Sequence, residues 1–286
     1  MPINPDAVGA KGDPARHAWD PKDAILYALG VGAGASDPLD ELAFTTENTS
    51  EVDQQALPTM AVVLGLGGGG GFGSIGTFNP AMLVHGEQGI TLHAPIPVKG
   101  EVETVSEITG IWDKGKGAVI ESTSVSTDMS TGQALFTNVS SVFIRGEGGF
   151  GGERGPSGPK NPAPEGDPDH RVKYQTRTDQ ALLYRLSGDR NPLHSDPAFA
   201  AMGGFDRPIL HGLCSYGFTG RALLRELCGS DPARFSSMEA RFSSPVFPGE
   251  ALTVSMWDTG DGEAIFQTAG DDGRTVIDAG RCTYKP

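Results

Sequence analysis

The nine residues LSGDRNPLH, at positions 186–194, decide how this sequence is interpreted. They follow the run ALLYR (181–185), which has the spacing of a short amphipathic helix, and they place an acid, an amide and an imidazole at D-x-N-x-x-H spacing. Asp189 and His194 are five residues apart and can hold one water molecule between them. Addition of water to a double bond needs such a pair, because one proton must be taken and one delivered. We therefore predict an active site here.

A weaker copy of this segment lies near the start of the chain. An offset of 157 residues aligns ALLYRL (181–186) with AILYAL (24–29), so both copies predict a short helix. The same offset places Gly32, Gly34 and Asp37 where the second copy has its acid, amide and imidazole. The first copy keeps the helix and lacks the groups that move a proton. We expect catalysis in the second half of the chain alone.

Two halves of the chain are separated by a segment in which neither a core helix nor a core strand is expected. Residues 146–170 read GEGGFGGERGPSGPKNPAPEGDPDH, which is almost entirely glycine, proline and charge. We predict an N-terminal half at 1–147, a linker at 148–169 and a C-terminal half at 170–286.

Further short parallels relate the halves. LVHG (83–86) resembles ILHG (209–212), and PVKGE (97–101) resembles PVFPGE (245–250). Alternating apolar and polar runs bounded by Gly and Asp then predict antiparallel strands in both halves. These runs lie at 118–127, 134–144, 251–257, 263–268 and 275–284.

The halves differ in the spacing between His-Gly and the later Gly-Glu, which is 37 positions in the second half and 14 in the first. The extra residues, 213–227, predict a helix of about four turns that one sheet wraps. The first half then lacks this helix, or has it displaced, and an apolar trough remains. We expect the trough to hold the tail of a bulky ligand, with residues 60–66, Met82 and Leu83 lining it and Val63 and Leu83 in contact with the tail.

The acidic composition narrows the expected partners. The 286 residues carry a formal net charge of −14, with 37% hydrophobic and 20% charged residues. A duplex nucleic-acid binder usually presents a basic face, and no apolar run is long enough to span a membrane, so we expect neither partner. Three cysteines without metal-like spacing favour a reducing compartment. We expect a cytoplasmic protein that can form a homodimer.

The chemistry of the segment at 186–194 suits an enoyl thioester. Hydration of that group also needs hydrogen-bond donors on the thioester oxygen, where negative charge develops. The backbone amide of Gly212, at the start of the predicted helix, is the natural donor, and glycine lets a substrate approach the backbone closely. The structural alternative is local capping, since Asp and Asn often accept hydrogen bonds from turn amides.

These residues resemble the MaoC-like (R)-specific enoyl-CoA hydratases, also called hydratase 2, over nearly the whole chain. The first half adds ILYALGVG (25–32), VHGEQ (84–88) and DKGKGA (113–118), which are similar to the two-domain type found as a module of peroxisomal multifunctional enzymes. The resemblance implies an α+β double hot-dog fold. Each half is then an antiparallel sheet associated with a central helix, and the N-terminal helix is shortened or missing.

The resemblance also implies site residues and a reaction. Asp189 and His194 become catalytic, with Asn191 supporting the site, and no metal or redox cofactor takes part. The reaction is a reversible hydration of a trans-2-enoyl-CoA to a (3R)-3-hydroxyacyl-CoA, so the chain is a lyase whose small-molecule partner is an acyl-CoA. A hot-dog acyl-CoA thioesterase and a non-catalytic acyl-CoA-binding protein are the alternatives.

Several other residues have two alternative interpretations, one functional and one structural. Lys114 and Arg145 contact CoA phosphates or lie at solvated strand ends. His211 contacts ligand or orients the loop before Gly212, and His85 is expected to be structural. The run GLGGGG (65–70) matches the dinucleotide-binding pattern, but the following FGSIGTFNP cannot open the helix that such a site requires. We expect this run to form a loop over the trough.

Overall fold

The computed structural model describes residues 3–66, 71–157 and 160–286. In these residues the strands are β1 (Ala15–Trp19), β2 (Leu83–Leu92), β3 (Gly100–Asp113), β4 (Gly117–Asp128), β5 (Ala134–Arg145), β6 (His170–Gln175), β7 (Phe235–Phe242), β8 (Ala251–Gly260), β9 (Glu263–Ala269) and β10 (Thr275–Tyr284). The α-helices are α1 (Pro21–Gly30), α2 (Leu42–Thr45), α3 (Ala61–Leu64), α4 (Gln180–Tyr184), α5 (Pro197–Met202) and α6 (Gly212–Cys228). Within the same ranges, none of the helices has the length and apolar character needed to cross a membrane.

The described strands form one 10-stranded antiparallel sheet in the order β1-β3-β4-β5-β2-β7-β10-β9-β8-β6. The first five strands come from the N-terminal half and the last five from the C-terminal half, in mirror-image order. Strands β2 and β7 join the halves, with paired residues from Glu87 opposite Arg241 to Thr91 opposite Ser237. The predicted α+β double hot-dog fold with one continuous sheet is confirmed.

Helix α6 is the central helix of the C-terminal half and packs against β6, β7, β8 and β10. Of its 17 residues 14 are buried, which is the pattern of a helix enclosed on all sides rather than one lying on a surface. It ends at Cys228 because Gly229 adopts a left-handed conformation, with φ of 60°, and donates its amide to the Leu224 carbonyl. The helix predicted at 213–227 is therefore confirmed.

The N-terminal half has a much shorter element in the corresponding place. A 3₁₀ turn at Pro58–Met60 runs directly into α3, and all of these residues are buried. Asn138 of β5 donates to the carbonyl of Ala61 at 3.1 Å, and the turn packs against α6. A Cβ added at Gly220 of α6 would lie 2.3 Å from Cγ2 of Thr59, so glycine permits this close approach.

The position of the shortened helix differs from the one that the repeat predicted. His85 and Gly86 lie inside β2, where His85 is opposite Val142 of β5. Strand β2 corresponds to β7 in the mirrored order, whereas His211 and Gly212 lie at the start of α6. The equivalence of LVHG with ILHG is wrong, because four similar residues occur in a strand in one half and at a helix start in the other.

The described parts of the linker, 148–157 and 160–169, contain no helix or strand but are docked on the sheet. The carboxylate of Asp113 accepts hydrogen bonds from the amides of Gly149 and Gly151, both at 2.9 Å. Further along, Lys160 forms an ion pair with Glu239 at 3.2 Å, next to the junction of β2 and β7. The described parts of the linker therefore contact both halves.

A buried ion pair ties the N-terminal half to α6. Arg221 of α6 donates to Glu41 at 2.8 Å and also to the carbonyl of Val31. Its guanidinium lies 4.0 Å from the ring centroid of Tyr174 and 5.6 Å from that of Phe218. The side chains of Arg221 and Glu41 are 4% and 15% exposed, so removal of one charge leaves the other without compensation.

Replacement of this carboxylate should destabilise the folded chain. We expect Glu41→Ala to lower the free energy of unfolding by about 3 kcal/mol, because Arg221 then remains buried and unpaired. Urea denaturation followed by circular dichroism measures the change. As a matched control, Glu103→Ala breaks the exposed pair between Arg16 and Glu103 and should cost less than about 1 kcal/mol. Equal losses in the two variants would contradict a special role for the buried pair.

Candidate active site

The segment that carries Asp189 and His194 is folded by two tight turns. A 3₁₀ turn at Arg185–Ser187 ends at Gly188, whose φ of 133° is a conformation that favours glycine. Asn191 then caps a second turn, Pro192–His194, by accepting the amide of Leu193 at 3.0 Å. These turns bring the side chains of Asp189 and His194 close together. Asn191 itself is exposed and supports the turn.

The imidazole of His194 is buried and has a defined tautomer. Its Nδ1 lies 2.9 Å from the carbonyl oxygen of Ile209, which can only accept, so Nδ1 carries the proton. The other nitrogen, Nε2, is then a free acceptor. Burial lowers the pKa of His194, and nearby Asp189 opposes this only in part. The ring is therefore neutral near pH 7 and able to accept a proton.

Asp189, His194 and His211 converge at one point. One carboxylate oxygen of Asp189 and one ring nitrogen of each histidine lie within 4.8 Å of one another. Two hydrogen bonds of about 2.8 Å let a water bridge atoms at such a separation. The two imidazoles are stacked at 3.7 Å between centroids with 29° between planes, so their in-plane lone pairs do not converge on one ion. This geometry favours a bridging water over a shared metal.

The N-terminus of α6 supplies donors beside this group. The first amides of a helix, here those of Gly212 and Leu213, have no acceptor inside the helix, and the helix dipole is positive at this end. A Cβ at Gly212 would lie 3.3 Å from the ring of Phe242, so this ring covers one side of the backbone here. The arrangement suits a developing negative charge.

His85 of the N-terminal half lies near the site. The ring of His85 packs against that of Phe242, with 4.9 Å between centroids and 60° between planes, and its Nε2 lies 3.0 Å from Oγ of Ser140 and 3.1 Å from the carbonyl of Glu87. Desolvation lowers the pKa of His85 to about 4, with a smaller opposing effect from Asp189. His85 is thus a neutral packing partner of the residue that covers Gly212.

A cavity of about 260 Å³ lies between the N-terminal half and the segment that precedes Asp189. Val63 lines it, as the trough interpretation expects, whereas Leu83 does not. Leu83 packs instead in a separate apolar cluster with Ile3, Ile75 and Ile144. The lining residues are His17, Ala18, Trp19, Asp23, Leu26, Tyr27, Met60, Val63, Leu64, Leu186, Ser187 and Gly188. Residues 67–70 of the glycine run lie outside the described residues.

The two cations considered for CoA phosphates lie at the β3–β4–β5 end of the sheet. The ammonium group of Lys114 donates to the carbonyls of Arg154 and Pro156 in the linker, the latter at 2.8 Å. Arg145 is exposed at the end of β5, opposite Gly117. The bonds of Lys114 give it a structural function, and phosphate contact by either residue stays a prediction.

The place that matches the active site in the N-terminal half is filled. Gly32 corresponds to Asp189 under the 157-residue offset, and a Cβ there would lie 2.3 Å from Cε1 of Phe218 and 3.1 Å from Nη1 of Arg221. The φ of 80° at Gly32 also disfavours any side chain. The first copy therefore has no room for a carboxylate at this position.

Both halves of the chain match known family models. Residues 17–146 match the MFE-2 hydratase 2 N-terminal domain, and residues 159–279 match the MaoC like domain. The chain is 49% identical over 294 residues to 3-hydroxyacyl-thioester dehydratase Y of Mycobacterium tuberculosis, with 99% of each chain covered. It belongs to the MaoC-like hydratase 2 family.

Two further relatives extend this similarity. The enoyl-CoA hydratase ChsH3 of Mycobacterium tuberculosis is 45% identical over 279 residues, with 91% of each chain covered. The crystal structure of a MaoC-like dehydratase from Phytophthora capsici has a TM-score of 0.86 and 33% identity, and the match covers 99% of this chain and 98% of that one. The double hot-dog architecture is therefore consistent with membership of this family of hydro-lyases.

Sequence reasoning missed three groups that shape the site of this hydratase 2 family member. The carbonyl of Ile209 fixes the tautomer of His194, Phe242 covers Gly212, and the ring of Tyr184 lies 5.0 Å from that of His211. Tyr184 alone had a signal, since it repeats Tyr27 under the offset and the two rings lie 6.2 Å apart. The other two are brought in by tertiary packing alone.

Stability should fall as the pH drops below about 6.5. Burial lowers the pKa of His85 to about 4 and of His211 to about 3, and it also lowers that of His194. Between these values and about 6.5 the unfolded chain binds more protons than the folded chain, so stability is present above pH 6.5 and is lost on acidification. Each histidine contributes about 1.4 kcal/mol per pH unit.

Urea unfolding at pH 7, 6 and 5 measures this dependence. His85→Phe keeps an aromatic ring against Phe242 and should reduce the slope of stability against pH by about one proton. The control His93→Gln changes an exposed ring that bonds Thr137 and should leave the slope unaltered. An identical slope in wild type and His85→Phe would show that His85 titrates normally in the folded chain.

Proposed function

We propose that this chain catalyses the reversible hydration of trans-2-enoyl-CoA thioesters to (3R)-3-hydroxyacyl-CoA. The observation that carries the proposal is the convergence of Asp189 and His194 within 4.8 Å, beside the N-terminus of α6. The names of the relatives, a 3-hydroxyacyl-thioester dehydratase and an enoyl-CoA hydratase, support the same reaction in its two directions. The R configuration rests on the resemblance to hydratase 2.

The Asp189–His194 pair acts on one water molecule. The water donates one hydrogen to the Asp189 carboxylate and the other to Nε2 of His194, and its lone pair is then directed at C3 of the substrate. As the new C3–O bond forms, the C2–C3 π bond breaks. The Asp189–His194 pair takes one proton from the water, with Asp189 as the main base, and the same pair delivers one proton to C2. One hydroxyl and one proton are added in total, so the pair ends with the protons it had at the start.

The amide of Gly212 stabilises the charge that forms during this step. Electrons of the π bond move onto the thioester oxygen, which becomes enolate-like. An N–H at the positive end of α6 stabilises that oxygen without reorganisation, which lowers the barrier more than a solvent water would. Water addition changes no net oxidation state, so the reaction needs no redox cofactor. Cytoplasmic location and a homodimer stay predictions.

Turnover of crotonyl-CoA tests the function. Loss of the enoyl thioester absorbance without release of free thiol is the expected result. Thiol release would identify a thioesterase, and binding without either change would identify a non-catalytic acyl-CoA-binding protein. Coupling to dehydrogenases specific for the (3R)- or (3S)-hydroxyacyl-CoA gives the configuration, and turnover only through the S-specific enzyme would overturn the R assignment.

Catalysis should depend on the second half alone. We expect Asp189→Asn and His194→Ala each to lower kcat by about a hundredfold or more, the scale of a lost general acid or base. Asp37→Asn is the matched control at the position that corresponds to His194 in the first half, and it should change kcat less than about twofold. Comparable losses from Asp37→Asn and Asp189→Asn would refute the asymmetry.

The cavity beside Val63 should set the tolerance for acyl length. Burial of tail methylenes there contributes about 0.8 kcal/mol each. Val63→Trp should therefore raise KM for decenoyl-CoA and leave KM for crotonyl-CoA nearly unchanged. Leu83→Trp is the contrasting variant, because Leu83 packs in the separate cluster and should not discriminate by length. Equal losses on short and long substrates in Val63→Trp would place the tail elsewhere.

A further inference from the structure

The side chain of His211 does not cap the helix that follows it. It is the N-cap of α6 and makes no side-chain cap hydrogen bond. Its ring is fully buried and does not face solvent. Instead Nε2 lies 3.1 Å from the backbone carbonyl of Asp189, which can only accept, so Nε2 donates.

The ring of His211 is held between two other rings. On one side it stacks on His194 at 3.7 Å, and on the other it meets Tyr184 at 5.0 Å with 56° between planes. The short segment 209–211 thus fixes both reactive residues. The carbonyl of Ile209 accepts from His194, and the side chain of His211 donates to Asp189.

The surroundings keep His211 uncharged. Desolvation is the largest cause that lowers its pKa to about 3, followed by repulsion from a protonated His194, and Arg185 acts in the same direction. The donation to Asp189 opposes these effects only in part. Its Nδ1 is buried without a partner in the described part of the chain, which fits an acceptor lone pair on the Nε2–H tautomer.

We propose that His211 is a positioning residue that joins the three parts of the site. Its N–H fixes the main chain of Asp189, its ring fixes the plane of His194, and its backbone starts the helix whose first amide belongs to Gly212. The effect of His211 on kcat rests on the proposed hydratase function. The contacts that His211 makes do not depend on that function. A neutral ring is required, because a charged one stacked on His194 would oppose proton uptake there.

Two variants separate the contacts. His211→Phe keeps a ring against His194 and removes the donor, whereas His211→Gln keeps a donor near the Nε2 position and removes the ring. We expect both to lower kcat on crotonyl-CoA by about tenfold to a hundredfold, the scale of a small misplacement of reacting groups, with KM changed less than about threefold. Only His211→Gln should raise the midpoint pH of the acid limb of the kcat–pH profile. Loss of the ring admits water to His194 and so weakens the desolvation that lowers its pKa.

The control His93→Gln, at an exposed ring, should leave kcat and the pH profile as in wild type. If His211 were purely structural, both variants would be less stable, but their folded forms would keep the wild-type kcat and pH profile. That outcome would overturn the proposal. A rise in KM with unchanged kcat would do the same, because it would mark a substrate contact.

A measurement without turnover keeps this proposal distinguishable from the function. Nitrogen-15 NMR of histidine-labelled wild-type protein at pH 5 should show His211 as a neutral Nε2–H imidazole. A protonated ring or the opposite tautomer would overturn the positioning arrangement even if the enzyme hydrates crotonyl-CoA. If the wild-type protein shows the expected NMR signature but does not turn over crotonyl-CoA, the proposed function is wrong and the contacts of His211 still hold.

Discussion

The enclosure of α6 by the sheet is the constraint on which the rest of this structure depends. A helix buried over 14 of 17 residues can shift little, because close-packed neighbours surround it. Its first residue, Gly212, therefore presents a fixed amide to the site. Its middle, at Gly220 and Arg221, contacts the N-terminal half. One helix thus supports the candidate site in the C-terminal half and joins that half to the other, so the site and the assembly of the halves are set together.

Much of the fold followed from local patterns in the sequence. The strands alternate with period two, the linker is too rich in Gly and Pro to enter the core, and the four-turn helix at 213–227 was visible as an unmatched apolar stretch. The proximity of Asp189 and His194 could be predicted because two turns between positions 185 and 194 bring them together, which is a property of local sequence.

The rest depended on contacts between distant residues. The similarity of LVHG to ILHG misplaced the missing helix, because pairing with β5 decides that His85 lies in a strand. Leu83 was assigned to the tail trough, but the direction that a side chain faces depends on what covers the sheet at that point, and Ile3 and Ile75 cover it there. The stack of His194 on His211 joins segments separated by a whole helix, and nothing in their spacing specifies it.

The mirror-image order of the strands has a consequence for synthesis on the ribosome. Within the N-terminal half β2 is an edge strand, and its second partner, β7, begins only at Phe235. While the residues between Arg145 and Phe235 are made, which takes on the order of ten seconds, a folded N-terminal half presents β2 as an open edge. Open edges recruit other strands, so this interval is when the nascent chain is most prone to aggregate or to need a chaperone. Gly89, in the middle of β2, lowers the strand propensity of that edge until β7 has been synthesised.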